Sequence, residues 1–252
     1  MRIYQKVFLL LVSIAIVSGI QHIAVAETIH AGITEWPPYL IYDGTEVKGI
    51  IIDILQEVSV RTGYSIVYHQ LPQKRVYDYF MKGTITLEPG SNPAWRKEFE
   101  DISCYSIPYY KVTTIILGKK SRQINATCPE DFRGKVLGGD LGFSGYGDGF
   151  DEAFANGTIR REDVTTGARG NIQKLVSNRV DGILIDRLVA WHTIKTLGLN
   201  PDDFQEMYRF KVVEYLFLRF HKNQEVLLPK VNAALKAMQS EGIIEKITEN
   251  YK

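Results

Sequence analysis

The segment NIQKLVSNRVDGILIDRLVAWHTIKTLG, residues 171–198, shows in direct succession the patterns of a helix, a strand and a second helix. Ile172, Leu175 and Val176 recur at the spacing of one helical face. The run VDGILID (180–186) is short, apolar and rich in branched residues, which is typical of a buried strand. A strand placed between two helices at such short spacing predicts a unit of an α/β fold.

The same alternation continues outward in both directions along the chain. Strand patterns occur at residues 28–34, 64–71, 84–87, 110–118, 135–140, 162–167 and 212–220, and helix patterns at 50–63, 73–83 and, twice, within 225–252. Pro89, Gly90 and Pro93 predict a loop after the third strand, because proline interrupts sheet pairing. The whole pattern predicts an α/β protein with mostly parallel sheets, which bind ligands at the carboxyl ends of their strands.

The first 26 residues have the three parts of a secretory signal peptide. MRIYQK carries positive charges, an apolar run extends from Val7 to Ile20, and the small-residue motif AVA ends at Ala26. The apolar run is shorter than the roughly 20 residues that span a bilayer as a helix, so cleavage is favoured over an uncleaved anchor. We therefore expect residues 1–26 to be a signal peptide and residues 27–252 to be an exported chain.

Composition limits the partners of this chain. Its 30 Lys and Arg residues nearly balance 29 Asp and Glu residues, and no long basic run provides an electrostatic surface for nucleic acid.

The chain has two cysteines, Cys104 and Cys128. An oxidising compartment would permit a disulfide between them, but the presence of two cysteines does not establish that they lie close enough to bond. Two buried thiols are therefore the default expectation.

Six glycines lie within GGDLGFSGYGDGF, residues 138–150, between a predicted strand and a predicted helix. A phosphate-binding P-loop would end in Gly-Lys-Ser/Thr, and a dinucleotide fingerprint would read G-x-G-x-x-G; neither pattern is present. The nucleophile-elbow pattern G-x-S-x-G fails by one position, and no motif has metal-ligand spacing. Two interpretations remain open: an anion site on backbone N–H groups at a helix start, or a simple turn of the chain.

Five segments together resemble one protein family. They are EWPPYLIYDGTEVKGIIIDIL (35–55), YSIPYY (105–110), EDFRGKVLGGDLG (130–142), NRVDGILID (178–186) and VNAALKAMQSEGIIEKITENY (231–251). In this order, they resemble the extracellular solute-binding proteins of family 3, bacterial periplasmic receptors that deliver polar amino acids and related solutes to ABC importers. The resemblance covers nearly all of the chain after the predicted signal peptide.

The resemblance implies a fold, a type II periplasmic-binding-protein architecture of two α/β lobes joined by two hinge-crossing strands, with the ligand in the cleft between the lobes. Lobe 1 would comprise residues 27–111 and 214–252, and lobe 2 residues 112–213. The crossings would lie near YYKVTTIIL and KVVEYLFL.

The resemblance also implies ligand-binding residues on both lobes. Trp36, with Tyr39 close by in the same segment, occupies the position where the family stacks an aromatic ring on the ligand; packing in the core is the alternative for Trp36. Asp186 matches the acid that pairs with the ligand ammonium. Arg187 is the competing partner for Asp186, although adjacent residues in a strand point to opposite faces.

Arg96 resembles the arginine that binds the ligand carboxylate with a forked guanidinium. Ser91, in the same loop, and Ser144 with Gly145, in the glycine-rich loop, would donate further hydrogen bonds. Arg75 is a second cationic candidate, with a solvated position on a helix face as the simpler interpretation.

The chain departs from the family pattern in this loop. The spacing from the arginine to YSIPYY is longer than usual, Pro93 replaces a common threonine, and the acid usual near Thr86 is replaced. Glu88 and Trp95 in the altered loop could serve a different ligand, so a small polar or zwitterionic solute is a better-founded expectation than an amino acid.

We therefore expect a monomeric periplasmic receptor without a cofactor, which presents its closed form to an ABC permease in the inner membrane. Two alternatives use the same scaffold. A dehydratase resembling cyclohexadienyl dehydratases would use Glu88 or Glu35 as a general acid, provided that burial raises its pKa. A sensory module would report the ligand to a separate membrane signalling protein.

Overall fold

Two separate sheets organise the chain in the computed structural model, which describes residues 27–122, 124–140, 146–164 and 167–251. The strands are β1 (Thr28–Ile33), β2 (Ile41–Tyr42), β3 (Val47–Lys48), β4 (Ser65–Gln70), β5 (Leu87–Ser91), β6 (Ser103–Tyr105), β7 (Tyr110–Val112), β8 (Thr114–Lys119), β9 (Val136–Asp140), β10 (Arg160–Val164), β11 (Gly182–Asp186), β12 (Phe204–Arg209) and β13 (Glu214–His221). The α-helices are α1 (Ile50–Thr62), α2 (Gln73–Met81), α3 (Phe150–Ala155), α4 (Gly167–Val176), α5 (Arg187–Thr196), α6 (Leu228–Ser240) and α7 (Ile243–Glu249). The predicted signal peptide lies outside the described residues.

The first sheet has the order β4-β1-β5-β13-β6, with β7 paired to β13. Strands β4, β1 and β5 are parallel, whereas β13 runs antiparallel to β5, β6 and β7. The second sheet has the order β10-β9-β11-β8-β12, in which β10, β9 and β11 are parallel and β8 runs antiparallel to both of its neighbours. The prediction of mostly parallel sheets is therefore wrong, because β8, β12 and β13 run antiparallel to their neighbours and make both sheets mixed.

The chain passes between the sheets twice. It leaves the first sheet at β7 and enters the second at β8, and it returns from β12 to β13. Because β7 and β13 also pair with each other, the two crossings lie side by side.

Aliphatic stripes attach the helices to the sheets. In α1, the predicted stripe of Ile51, Ile54, Leu55 and Val58 is buried, since each of these side chains is at most 2% exposed. Full burial of an aliphatic side chain stabilises a fold by roughly 1.5–3 kcal/mol relative to its exposure. In the predicted stripe of α6, Val231, Leu235 and Met238 are buried and Leu228 is partly buried. Val176, predicted to face the core, is 40% exposed at the last position of α4.

Strand β5 is displaced from its predicted position. It begins at Leu87, where the predicted strand ends, and continues through Pro89 and Gly90, which the sequence assigned to a loop. Its register against β13 pairs Glu88 with Arg219 and Ser91 with Phe217, so β5 has one extra residue between these pairs. This bulge accommodates a proline, because a bulged residue is not required to donate to the sheet ladder.

The two cysteines are not bridged in this structure. Cys104 lies half-buried in β6, its Sγ is 3.6 Å from the carbonyl oxygen of Phe220, and burial raises its pKa to about 11. Cys128 is exposed, so the expectation of two buried thiols is wrong for this residue.

Within the described ranges, no helix has the length and apolarity required to cross a bilayer.

Candidate functional site

An aromatic pair lies at the carboxyl end of β1, where the sequence placed a ligand-stacking ring. The backbone turns back on itself after β1, since the N–H groups of Tyr39 and Leu40 both donate to the carbonyl oxygen of Trp36, at 2.8 and 2.9 Å. The rings of Trp36 and Tyr39 are 4.5 Å apart. Trp36 is half-buried, whereas Tyr39 is buried.

Gly90 of β5 makes room for this pair. Its φ of 72° lies in the left-handed region, and a Cβ at this position would be 2.8 Å from the side chain of Ile51 and 3.5 Å from the Trp36 ring. A residue with a Cβ at position 90 would therefore clash with Ile51 and lie in van der Waals contact with the indole, besides being strained by the positive φ.

Asp186 of the second sheet contacts this pair across the boundary between the sheets. The hydroxyl of Tyr39 donates to Oδ1 of Asp186 at 3.0 Å, joining residues 147 positions apart in the chain. Asp186 also caps α5 by accepting the N–H of Val189 at 2.9 Å. Burial raises the pKa of Asp186 above its ordinary value, although these hydrogen bonds act in the opposite direction.

Arg187, the competing partner for Asp186, is directed elsewhere. Its Nε donates to Glu206 of β12 at 2.5 Å, and its side chain is 46% exposed. In the part of the chain that the structure describes, Asp186 forms no ion pair. A buried carboxylate held only by neutral donors remains able to bind a cation.

Arg96 is paired within the protein. Its Nη2 donates to Oε1 of Glu88 at 2.6 Å, its Nε lies 3.2 Å from both oxygens of that carboxylate, and its guanidinium lies 4.8 Å from the centre of the Tyr77 ring. Glu88 also accepts from Nη1 of Arg219 at 2.5 Å and from Nε2 of Gln73 at 3.1 Å. The predicted carboxylate-binding arginine is thus part of a buried charge cluster, and its side chain remains 14% exposed.

The other predicted residues are scattered. Ser91 is fully buried at the end of β5, and its Oγ has no hydrogen-bond partner among the described residues. Arg75 is exposed on α2. Ser144 and Gly145 lie outside the described residues. The structure therefore brings Trp36, Tyr39 and Asp186 into one contact network, with Ser91 and Arg96 at and just beyond the end of β5.

The two acids proposed for an enzyme differ in their surroundings. Glu35 is exposed. Glu88 is buried, and its carboxylate accepts hydrogen bonds from two guanidiniums.

Two contacts near the site could not be assigned from the sequence. The first involves Arg219, the centre of the charge cluster, which is a single arginine in the apolar run EYLFLRF; such an arginine signals a buried ion pair without showing its partner. Trp95 donates its Nε1 to Glu214 at 3.4 Å, close to the second crossing, and burial raises the pKa of Glu214.

A separate cavity lies at the crossings. It has a volume of about 350 Å³ and is lined by residues of both crossings and of α6 and α7, including Tyr110, Lys111, Tyr215 and Thr248. Neither Trp36 nor Asp186 lines it. Among the described residues, no cluster of three or more His, Cys, Asp and Glu side chains could hold a metal ion.

Comparison with known proteins shows similarity along the whole length described. The family described as bacterial extracellular solute-binding proteins, family 3, matches residues 29–252. The L-cystine-binding protein TcyJ of Escherichia coli strain K12 is 26% identical over 232 residues, covering 86% of this chain and 79% of TcyJ. The arginine-binding extracellular protein ArtP of Bacillus subtilis strain 168 is 23% identical over 228 residues, covering 86% of this chain and 82% of ArtP.

Solved structures share the fold. An ancestral arginine-binding protein bound to arginine superposes with a TM-score of 0.68 at 22% identity, covering 89% of this chain and 97% of that protein. At this identity the likeness shows the fold alone. It confirms the predicted type II periplasmic-binding-protein architecture of two α/β lobes joined by two crossing strands.

Proposed function

Because the chain belongs to the bacterial extracellular solute-binding proteins of family 3, we propose that its solute is a small molecule with a cationic and an anionic group, such as an amino acid. The solute would lie in the groove between the lobes, near Trp36, Tyr39 and Asp186. The similarity to cystine-binding and arginine-binding proteins supports an amino acid as the class of solute.

We assign the lobes as predicted from the sequence, with residues 27–111 and 214–252 in lobe 1 and residues 112–213 in lobe 2. The sheet memberships support this division, since β1 to β7 and β13 contribute no strand to the second sheet, and β8 to β12 contribute none to the first. Closure of these lobes around the solute would provide contacts on both sides, which shifts the open state toward the closed state.

The contact between Tyr39 and Asp186 is the observation that supports this function best. It places an acid of one lobe against the aromatic pair of the other at hydrogen-bond distance. The acid has neutral donors but, among the described residues, no cationic partner. An ammonium or guanidinium group on the solute would supply the missing charge and would pack on the rings.

The expected affinity follows from the number of charged contacts. Hydrogen bonds to charged groups contribute about 1.5–3 kcal/mol each. Three or four of them, after the loss of solute and side-chain freedom, are compatible with a dissociation constant of roughly 1 μM, near −8 kcal/mol.

The same proposal includes export and delivery. The signal peptide at residues 1–26 would direct the protein to the periplasm, where the closed monomer would dock on an ABC permease of the inner membrane. We expect binding without catalysis and without a cofactor, so the purified protein should release no product from prephenate or arogenate.

Mass spectrometry of solute that co-purifies with the native protein tests this function, followed by calorimetric titration of each identified compound. A zwitterionic compound that binds with micromolar or tighter affinity is the expected result. A protein that binds no member of a panel of L-amino acids, and that carries no small molecule through purification, would contradict the proposal.

A further inference from the structure

Glu88 and Arg219 form a buried ion pair between neighbouring strands. They are register partners on β5 and β13, and Nη1 of Arg219 lies 2.5 Å from Oε2 of Glu88. The side chain of Arg219 is fully buried, and that of Glu88 is 7% exposed. The Arg219 guanidinium lies 3.8 Å from the centre of the Phe80 ring, and its Nε donates to Ser103.

Arg96 adds a second cation to the same carboxylate. It binds Glu88 from the loop that follows β5, and its Nη1 donates to the carbonyl oxygen of Trp95 at 3.0 Å. Burial lowers the pKa of Arg96, whereas the bonds from Glu88 raise it, and the net shift is upward. Both guanidiniums therefore carry their charge at neutral pH, as arginine does in proteins generally.

The cluster has an excess of positive charge. Among the buried groups, one carboxylate faces two guanidiniums, and the exposed Glu98 acts on Arg96 only from the surface. Nη2 of the buried Arg219 has no hydrogen-bond partner among the described residues. An uncompensated charge away from water is unfavourable, so the cluster would be stabilised by an additional anion. Of its members, Arg96 has the most exposed side chain, and an anion would reach the cluster there.

The cluster also lies on a strand that carries predicted site residues. Glu88 is two residues from Gly90, where a Cβ would lie 3.5 Å from the Trp36 ring, and three residues from Ser91 at the carboxyl end of β5. Strand β5 thus connects the excess positive charge of lobe 1 to the aromatic pair that faces Asp186.

We propose that Glu88 and Arg219 are positioning residues that fix the Arg96 guanidinium and leave the cluster with one net positive charge, which selects solutes with an anionic group. This inference rests on the proposed solute-binding function. The pair determines specificity without touching the solute: Glu88 holds the orientation of Arg96, and Arg219 offsets the negative charge that Glu88 would otherwise place beside the solute.

The test compares an amino acid with its amide in charge variants of the cluster. The best binder from a panel of L-amino acids and L-cystine is titrated calorimetrically, together with its carboxamide, against the wild type, Arg219→Met, Arg219→Lys and Glu88→Gln. Arg219→Met removes the net charge and should weaken binding of the acid at least about tenfold, one decade in the dissociation constant, and leave binding of the amide nearly unchanged. Arg219→Lys restores the charge and should restore most of the affinity for the acid.

Glu88→Gln changes the charge of the cluster in the opposite direction from Arg219→Met. It therefore distinguishes most sharply between a role in specificity and a purely structural role. Glutamine keeps one side-chain oxygen that accepts from Arg96 and so still holds the guanidinium, while the net charge of the cluster rises. Binding of the acid should therefore hold or tighten even though the fold loses stability. A merely structural pair would weaken the acid and the amide equally in both Arg219→Met and Glu88→Gln, which would overturn the inference. If Arg219→Met does not fold, Glu88→Gln and Arg219→Lys decide the question.

Failure of this inference can be separated from failure of the proposed function. Equal affinity for the acid and its amide in the wild type would overturn the anion selectivity and leave solute binding intact. If no compound of the panel binds, the proposed function fails, and acetate then serves as the probe. The Arg96 Nε–H signal in ¹⁵N-arginine spectra should shift with acetate in the wild type and not in Arg219→Met; equal behaviour of the two proteins would overturn the inference.

Discussion

In the proposed lobe assignment, Glu88 belongs to lobe 1 and Asp186 to lobe 2, and the partners of these two acids differ in charge. Glu88 accepts hydrogen bonds from two guanidiniums and the amide of Gln73, whereas the donors to Asp186 in the described part of the chain are neutral: the hydroxyl of Tyr39 and backbone N–H groups such as that of Val189. In the proposed groove, the wall that carries Glu88 would therefore have surplus positive charge, and the wall that carries Asp186 would have an unmatched negative charge. This difference indicates a solute with opposite charges at its two ends.

Removal of Glu88 should have the largest effect on the fold. Glu88→Leu leaves the buried Arg219 without its counter-charge, and loss of one partner of a buried ion pair destabilises a protein by about 3–5 kcal/mol. Urea denaturation measures this change. The matched control is Glu241→Gln, which breaks a bond to Arg61 at a position where the Glu241 side chain is 47% exposed, and should change stability by at most about 1 kcal/mol. Equal effects of the two variants would show that the buried cluster does not stabilise lobe 1.

Asp186→Asn should affect binding and leave stability nearly unchanged. The amide keeps the N-cap of α5, because asparagine caps helices as well as aspartate does, but it removes the charge that pairs with the cationic end of the solute. We expect the affinity to fall at least about tenfold, or 1.4 kcal/mol. Calorimetric titration and a thermal melt of the same sample measure the two quantities. Unchanged affinity would remove Asp186 from the site.

The pH dependence of binding should follow Asp186 alone. Burial raises the pKa of Asp186 above its ordinary value of 3.8, and a bound cation favours the ionised form. Binding should therefore be tightest at pH values well above the raised pKa, and the affinity should fall up to tenfold per pH unit as the pH decreases through it. The same raised pKa means that the unliganded fold binds this proton more tightly than the unfolded chain, so this group contributes less to stability as the pH rises. Titrations between pH 4 and pH 8 of the wild type and Asp186→Asn provide the comparison, and an identical pH dependence in the two proteins would contradict this assignment.

The last prediction concerns the balance between open and closed lobes in the unliganded protein, with no change expected in the solute-bound form. Tyr39→Phe removes the hydroxyl that donates to Asp186 and keeps the ring against Trp36. A hydrogen bond to a charged acceptor contributes about 1.5–3 kcal/mol, so the unliganded protein should populate open lobes more often. Small-angle scattering should show a larger radius of gyration for the variant without solute, and equal radii once solute is added. Equal radii without solute would mean that this bond does not hold the lobes together.

The sequence predicted the features that depend on local periodicity. The stripes of α1 and α6 and the strand that ends at Asp186 are local patterns, and each lies where the pattern indicated. Pro89 and Gly90 misled the interpretation, because the bulge that admits them into β5 is a property of the pairing with β13. Periodicity places Val176 on the core face of α4, but the helix ends at this residue and leaves it exposed. Periodicity does not show where a helix leaves the sheet.

The site was less predictable because its contacts join distant residues. The family resemblance predicts the role of Asp186, and its position at the end of a buried strand is visible in the local sequence. The partner of Arg219 has no such local signature, because the Glu88–Arg219 bond joins residues 131 positions apart. A single arginine in an apolar strand signals that a counter-charge exists, but only the sheet order shows which acid provides it.

A crystal structure of the protein with its co-purifying solute tests the opposite-charge model most directly. The model predicts an anionic group of the solute at hydrogen-bond distance, about 3 Å, from the guanidinium of Arg96, and a cationic group at a similar distance from the carboxylate of Asp186. A solute bound in the cavity lined by Tyr110 and Tyr215, or one that lies in the groove and contacts neither charge, would contradict it.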